Sequence, residues 1–429
     1  MSDFLFTTWE GGGSVAPALT AVRKLADRGH RVRVMSDACN RPEAQAAGAE
    51  FIAWTRAPSR PDRTRDTDIL RDWDVAEPID GLGRLIDGIM TGPALAYAED
   101  VIEELTRRPA DLIVNSEILP GVSAAAEALG VPFAHLCCNV SLFPMPGVPV
   151  LGPGFAPPES DEQAAMQAHV GAATIAYFDR GLPPLNAARK ALGLAPLGSL
   201  SEHPFRADRM FLATARAFDF APRVLPDRVS YVGPLLGEPA WAEPWQSPSG
   251  AGDRRPLVAV SFSTGFQNQI ASLQRVADAL GRLPVRGLIT LGDTVLPHEI
   301  VASANVKLVH SAPHDAVMRE ADVVVGHGGH GTTLRALVHR RPQLVVPHGR
   351  DQHDNAIRVT ERGAGLSLMP DASVTDFEQA VARLLREPAF AHAAADLGGR
   401  IRTEIERSPL IPDLEALAES GPILSARAA

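Results

Sequence analysis

Cysteine is scarce in this chain: Cys39, Cys137 and Cys138 are the only three in 429 residues. They form no disulfide framework and show no zinc spacing, and adjacent cysteines rarely bridge each other. Reduced thiols in a cytoplasm are therefore expected. A basic tract is also missing. Lys plus Arg number 41 against 51 for Asp plus Glu, a net charge of -10, which argues against nucleic acid as a partner. No stretch approaches the roughly 18 uninterrupted apolar residues of a membrane span, so none is expected. The opening MSDFLFTTWEGGG lacks the basic start and apolar run of a signal peptide. No internal repeat is present.

The length, in contrast, exceeds one ordinary core, and two domains are expected. Phe4–Thr8 reads as a strand, Trp9–Ser14 as a loop, Ala16–Arg28 as a helix closed by Gly29, and Val32–Met35 as a second strand. Further strands are expected at Asp111–Asn115, Pro132–Leu136, Arg209–Leu212 and Arg228–Val232, with helices at Pro93–Arg107 and Gly121–Leu129. Strands alternating with helices imply a parallel sheet covered on both faces. Residues Asn139 to Pro158 are rich in Pro and Gly but include Phe143, Met145, Val148, Val150, Leu151 and Phe155. They read as a surface loop or as an adaptable apolar wall over a pocket. Trp54 to Pro78 is a second such loop.

The strongest boundary is the Pro-, Gly- and Ser-rich run Gly233–Pro256, whose composition cannot pack a core. The division expected is an N-terminal domain at 1–233, a linker at 234–256, a second α/β domain at 257–388, and C-terminal helices at 389–429 that cross back. Leu257–Phe262, Gly287–Leu291 and Lys307–His310 read as strands of the second domain, with Ile270–Leu280 as a helix.

Chemistry concentrates between Asp322 and Asn355, DVVVGHGGHGTTLRALVHRRPQLVVPHGRDQHDN. A buried strand, Asp322–Gly326, runs into the turn His327–Gly331, and a helix is expected to open at Thr332. Glycines let backbone N–H groups approach a ligand, and a helix N-terminus favours negative charge. That suits a diphosphate. A second strand, Gln343–Pro347, leads to a polar turn with Asp351 and Gln352, which suits sugar hydroxyls. Together they point to a nucleotide-sugar. His327 and His330 lack the carboxylate or cysteine that would complete a zinc site, so no metal is expected.

The same residues resemble the C-terminal signature of the inverting nucleotide-sugar glycosyltransferases of the GT-B fold, the plant secondary-metabolite and bacterial antibiotic type. The likeness combines HGGxGTT at His327–Thr333, RPQLVVP at Arg341–Pro347 and DQxxNAxRV at Asp351–Val359. It extends weakly to Ala312–Met318 and Ser261–Gly265, and more loosely to Gly12–Val32 and Asp111–Val114. The resemblance implies two Rossmann-like domains facing across a cleft. It implies that His327, with the amides of Gly328, Gly329, Gly331, Thr332 and Thr333, holds the diphosphate, supported by Asn355 and by Ser263 or Thr264. Asp351 and Gln352 would bind the sugar, and Pro313 and His314 would lie beside the base. No cofactor beyond the co-substrate is implied.

One position departs from the pattern. Many members carry a histidine base where this chain has Ser14, and an acidic partner where it has Asn115 and Ser116. Serine cannot act as a base at neutral pH without a partner. Three replacements are considered, in the order Glu10, His135, Glu117: Glu10 lies in the first loop, His135 on a strand, and Glu117 at a strand's carboxyl end, where α/β sheets bind ligands. Each has a bland alternative as a hydrogen-bonded loop residue or core-edge histidine. A fourth option is an acceptor acidic enough to need little help. His30 is expected to be structural.

The expectation is thus an inverting hexosyltransferase using a UDP- or dTDP-sugar and a hydrophobic, aromatic acceptor, with Trp9, Phe143 and Met145 lining the acceptor pocket. A homodimer is carried as an expectation. The competing readings are a nucleotide-sugar epimerase of the same fold and a transferase-like helper that only binds. A third is an NAD(P) or flavin enzyme, for which Gly11–Ala16 formally fits GxGxxA and Asp37 would take the ribose.

Overall fold

The computed structural model describes residues 1–75, 77–237, 247, 252–263 and 265–420. Most of the run expected to be a linker lies outside these residues. Seven strands form one parallel sheet: β1 (Asp3–Thr7), β2 (Arg31–Ser36), β3 (Glu50–Ala53), β4 (Leu112–Asn115), β5 (Phe133–Cys137), β6 (Arg209–Leu212) and β7 (Val229–Tyr231). Six form a second: β8 (Leu257–Ser261), β9 (Arg286–Thr290), β10 (Val306–Val309), β11 (Val323–Gly326), β12 (Gln343–Val345) and β13 (Gly365–Ser367). Central strands such as Asp3–Thr7 and Val323–Gly326 are buried at every residue, as strands covered on both faces must be.

Strand order decides where ligands can sit. The first sheet runs β3-β2-β1-β4-β5-β6-β7 and the second β10-β9-β8-β11-β12-β13. In each, the chain reverses direction of growth between two central strands, and the crevice lies beyond their carboxyl ends. In the first sheet these ends are Thr7 and Asn115, which pair in register; in the second they are Ser261 and Gly326. The segments that follow hold Trp9, Glu10, Ser14, Glu117, Ser263 and His327–Thr333, while Pro313 and His314 follow β10 and Asp351, Gln352 and Asn355 follow β12.

Two strands escape sequence reading, Glu50–Ala53 and Gly365–Ser367, because both are short edge strands with little apolar run. So does the helix Asp161–Phe178, whose alanine-rich face has no apolar stripe and of which only Phe178 is buried. Its start was legible. Ser160 caps it by accepting from the Gln163 amide, and Gln163 accepts in turn from Glu159.

The two α/β units are stitched together. Leu410, Leu414 and Leu417 of the final helix lie in the cluster that holds Phe4 and Phe6 of β1. Glu404 accepts from the amides of Arg216 and Ala217 at 2.6 and 2.9 Å. Arg358 pairs with Asp219 at 2.7 Å, both side chains almost fully buried. A desolvated pair of this kind costs about 3–5 kcal/mol when one partner is removed.

Candidate functional site

In the second unit the helix after β11 spans His330–Val338, with Gly329 at its N-cap. It opens two residues before the expected Thr332. The first intrahelical bond runs from the Thr333 amide to the Gly329 carbonyl at 3.0 Å. Thr333 is therefore not an amide donor to a ligand, and its side chain is buried as well. The amides of Gly329, His330, Gly331 and Thr332 precede that bond and form the donor end of the helix. Gly328 adopts φ +91°, and a Cβ there would sit 2.8 Å from Val345 and 3.0 Å from the Gln352 carbonyl. Only glycine lets this turn press against the next helix.

That next helix, Gln352–Glu361, starts at Asp351 as its N-cap. Asn355 spends both amide hydrogens, one on the Gly328 carbonyl and one on Asp351 Oδ2, each at 2.8 Å. It clamps the glycine turn to Asp351 and has no donor left for a phosphate, which corrects the role expected for it. Gln352 lies in the helix rather than in a turn. Its Oε1 accepts from the His348 amide at 2.7 Å, and its Nε2 donates to Gln267 Oε1 at 2.8 Å. A sugar hydroxyl would have to displace one of these bonds.

Four histidines surround the crevice, and burial keeps all of them neutral. Desolvation, aided by His348, Arg350 and His314, pushes His327 down to about 3, while Nδ1 has no partner. His314, His330 and His348 are pushed to about 4, mainly by burial. Neutral imidazoles act here as hydrogen-bond groups, not as cations. His314 opens the helix capped by Pro313, lies 3.4 Å from Ser261 Oγ, and lines a small cavity with Thr290, Val317 and Met318. Ser263 is tied locally: its hydroxyl accepts from the Gly265 amide and its own amide donates to Gln269. Thr264 lies outside the described residues.

Arg350, which the sequence reading passed over, reaches across the cleft. Its Nε lies 2.6 Å from Asp72 Oδ2 and its Nη1 donates to the Gly11 carbonyl at 2.8 Å. Gln267 also donates to Asp72, and Trp73 meets Phe266 edge-on at 5.6 Å. A signal existed: a positive residue beside Asp351, held at φ +54°, where a non-glycine is uncommon.

The first unit arranges its polar groups differently. Ser14 is the N-cap of the helix Val15–Asp27 and donates to the Trp9 carbonyl at 3.4 Å. Glu10 does not turn toward a free space. One oxygen accepts from the Gly12 amide at 2.8 Å and the other pairs with Arg63 at 3.0 Å. Both of its oxygens are engaged rather than aimed at an acceptor, which corrects its first place in the order. Asn115 is structural, accepting from Thr7 and donating to the Leu119 carbonyl and Ser123. Asp37 accepts from the amides of Glu10 and Arg60, one on each oxygen, which closes it to a ribose. His30 bonds to Glu415 at 2.8 Å, a structural corner contact.

Glu117, His135 and Phe143 converge with two residues that no sequence signal identified, His203 and Cys137. His203 Nε2 lies 2.9 Å from the Glu117 carbonyl, 86 positions away in the chain. His135 is wholly buried and meets His203 at 4.9 Å between ring centroids, and its nitrogens have no well-formed bond. Burial first, then His203, holds it well below the usual imidazole value. Burial pushes Glu117 up to about 7 against the pull of its own backbone, Cys137 and Ser116, and its Oε2 has no partner.

Of the three expected acceptor-pocket residues, Trp9 and Phe143 share one core cluster and Met145 lies in another. Trp9 packs beside Gly11, Phe143 against Phe178 at 5.6 Å, and Met145 in a cluster with Cys137 and Met210. A second small cavity lies between the ends of β1 and β4, lined by Thr7, Thr8, Ala18, Ser116 and Cys138. Among the described residues no group of three His, Cys, Asp or Glu is placed to hold a metal, and no helix is long and apolar enough to cross a membrane.

Residues 274–417 match the family described as erythromycin biosynthesis protein CIII-like, C-terminal domain. The 4'-demethylrebeccamycin synthase of Lentzea aerocolonigenes is 26% identical over 427 residues, 97% of this chain and 98% of that protein. The oleandomycin glycosyltransferase of Streptomyces antibioticus is 28% identical over 388 residues, covering 88% and 80%. Among solved structures, the glycosyltransferase of kitacinnamycin superposes with a TM-score of 0.74 at 20% identity, over 96% of this chain and 98% of the other. With paired parallel sheets and these likenesses, the chain has the GT-B fold and is similar to glycosyltransferases of the antibiotic and natural-product type.

Proposed function

We propose that the protein is an inverting, metal-independent transferase that moves a hexose from a UDP- or dTDP-sugar to a hydrophobic, aromatic acceptor. The observation that carries this reading is the start of the helix His330–Val338. Its amides lie beyond β11 at the switch point of the sheet, next to a partly buried, neutral His327, and the glycine turn before them is clamped to Asp351 through Asn355. Such preorganised N–H donors oppose the charge that grows on a departing diphosphate. Asp351 gives one oxygen to Asn355 and offers the other to a sugar hydroxyl.

The acceptor oxygen attacks the anomeric carbon opposite the leaving diphosphate. A new C–O bond forms as the old one breaks, the electron pair leaves with the nucleotide, and the acceptor proton must go to a base. Glu117 suits that role better than Glu10 or His135. It carries an unpartnered oxygen at the carboxyl end of β4 and is raised to about 7 by burial. His135 is too strongly depressed, and Glu10 is spent on Arg63. Closure across Arg350 and Asp72 would exclude water, and unpaired thiols suit a reducing cytoplasm.

Calorimetry with UDP and dTDP, followed by product analysis with UDP- and dTDP-glucose and a panel of phenols, tests the reading. Binding of one nucleotide and a product of inverted anomeric configuration are expected. Retention of configuration would overturn the mechanism, and binding without transfer to any acceptor would make the protein a helper.

A further inference from the structure

We propose that Asp354 is a positioning residue that fastens the 139–158 loop to the helix carrying the donor-site groups, so that nucleotide occupancy is transmitted to the acceptor side. The inference rests on the donor site assigned above.

The helix Gln352–Glu361 has two working faces in its first turn. On one, Asn355 grips the Gly328 carbonyl and Asp351, and the Gln352 backbone packs where a Gly328 side chain would be. The helix is thus keyed to the glycine turn and cannot shift without it. On the other, Asp354 Oδ2 accepts from the Gly152 amide at 2.7 Å, with the Gly154 amide also directed to the carboxylate. The Asp354 side chain is 1% exposed, so the loop seals it completely. Arg358, one turn on, is committed to Asp219 and to the Asp354 carbonyl. A buried carboxylate gripping amides makes strong, directional bonds and leaves a costly orphan if they are lost.

The loop is shaped for this contact. Gly152 adopts φ +117° and Gly154 φ +69°, both in the left-handed region, on either side of Pro153. A Cβ on Gly154 would stand 3.0 Å from the His353 carbonyl and 3.1 Å from its Cβ. Backbone therefore lies against backbone, and no side chain cushions a movement of the helix. Leu151 packs on the cluster that contains Val345, Ala356 and Val359. Earlier in the same loop, Phe143 meets His203 at 5.9 Å and Met145 packs with Cys137, the neighbours of Glu117. One continuous path therefore runs from the glycine turn, through the helix and Asp354, to the surroundings of Glu117. Contiguity alone does not establish coupling, so the test must measure a response.

Hydrogen exchange of the full chain, with and without saturating UDP or dTDP, reads the Gly152 and Gly154 amides directly. In the wild type both amides should exchange more slowly when the nucleotide binds. In Asp354→Ala they should exchange about 10–100-fold faster and ignore the nucleotide, while its calorimetric affinity stays near wild type. Asp354→Asn keeps an acceptor oxygen and should restore the response. If Asp354→Ala does not fold, Gly154→Ala should uncouple the loop by steric displacement alone. A loop that does not respond in the wild type, or still responds in Asp354→Ala, overturns the inference. Failure of the wild type to bind either nucleotide would instead overturn the donor assignment, and this inference with it.

Discussion

The two sides of the cleft are built from the same parallel architecture but draw their polar groups together over different distances along the chain. On the donor side, residues within about thirty positions satisfy one another: Gly328, Asp351 and Asn355 close a ring, and Gln352 bonds to His348. On the acceptor side, Glu117, His135 and Cys137 are joined by His203, 86 positions from Glu117. Unpartnered buried atoms occur on both sides: Glu117 Oε2 and both His135 nitrogens here, His327 Nδ1, His330 Nε2, His348 Nδ1 and Asn355 Oδ1 there. A preorganised, locally bonded site is suited to a constant diphosphate. Buried groups without partners are costly, and a site that tolerates them is suited to a ligand that supplies the missing bonds.

The sharpest way to break this comparison is Glu117→Gln, which should lower kcat by about 10²–10⁴ with any acceptor found active. The wild-type rate should rise with pH through about 7 as the carboxyl loses its proton, and the variant should lack that rise. The sign for stability is opposite. Burial raises the folded pKa from 4.5 to about 7, so the group's stabilising contribution is complete below about 4.5 and is lost as pH rises through 7. Glu117→Gln should therefore melt higher than wild type at pH 8. A variant that keeps the wild-type pH profile would remove Glu117 as the base.

His327→Ala should lower turnover by about 10²–10³ through loss of a leaving-group contact while circular dichroism stays unchanged. Wild-type kinetics in that variant would remove the diphosphate assignment. Arg350→Ala breaks the bonds to Asp72 and Gly11 that cross the cleft. Its effect on stability should not exceed about 1 kcal/mol, since the pair is partly exposed. Donor hydrolysis without acceptor should nevertheless rise a few-fold, and an unaltered hydrolysis rate would deny Arg350 a part in closure. Glu10→Gln is the smallest change, with kcat held and at most about 1 kcal/mol of stability lost with the Arg63 pair. A large fall in kcat there would return Glu10 to the head of the candidates.

The glycine turn was legible because each of its requirements falls on neighbouring residues. Gly328 needs a positive φ, a helix must open at once, and a polar turn must end the next strand. Even there, the sequence misplaced the helix start and gave Asn355 to the ligand, because neither the Thr333 bond nor the Gly328 clamp has a one-dimensional sign. Glu10 failed for a related reason. Its partner Arg63 lies in a long loop whose path only packing decides.

Local chemistry thus let the sequence by itself determine two parallel α/β units, the glycine turn before a helix and the absence of a histidine at Ser14. Backbone freedom and hydrogen-bond patterns there depend on residues a few positions apart. Tertiary structure alone decided that Glu117 is enclosed with His203, that Glu10 is bonded to Arg63, that Arg350 spans the cleft and that Asp354 holds the Gly152 loop. Proton affinity and interdomain contact depend on burial and on partners tens to hundreds of residues away, and only the folded chain brings these together.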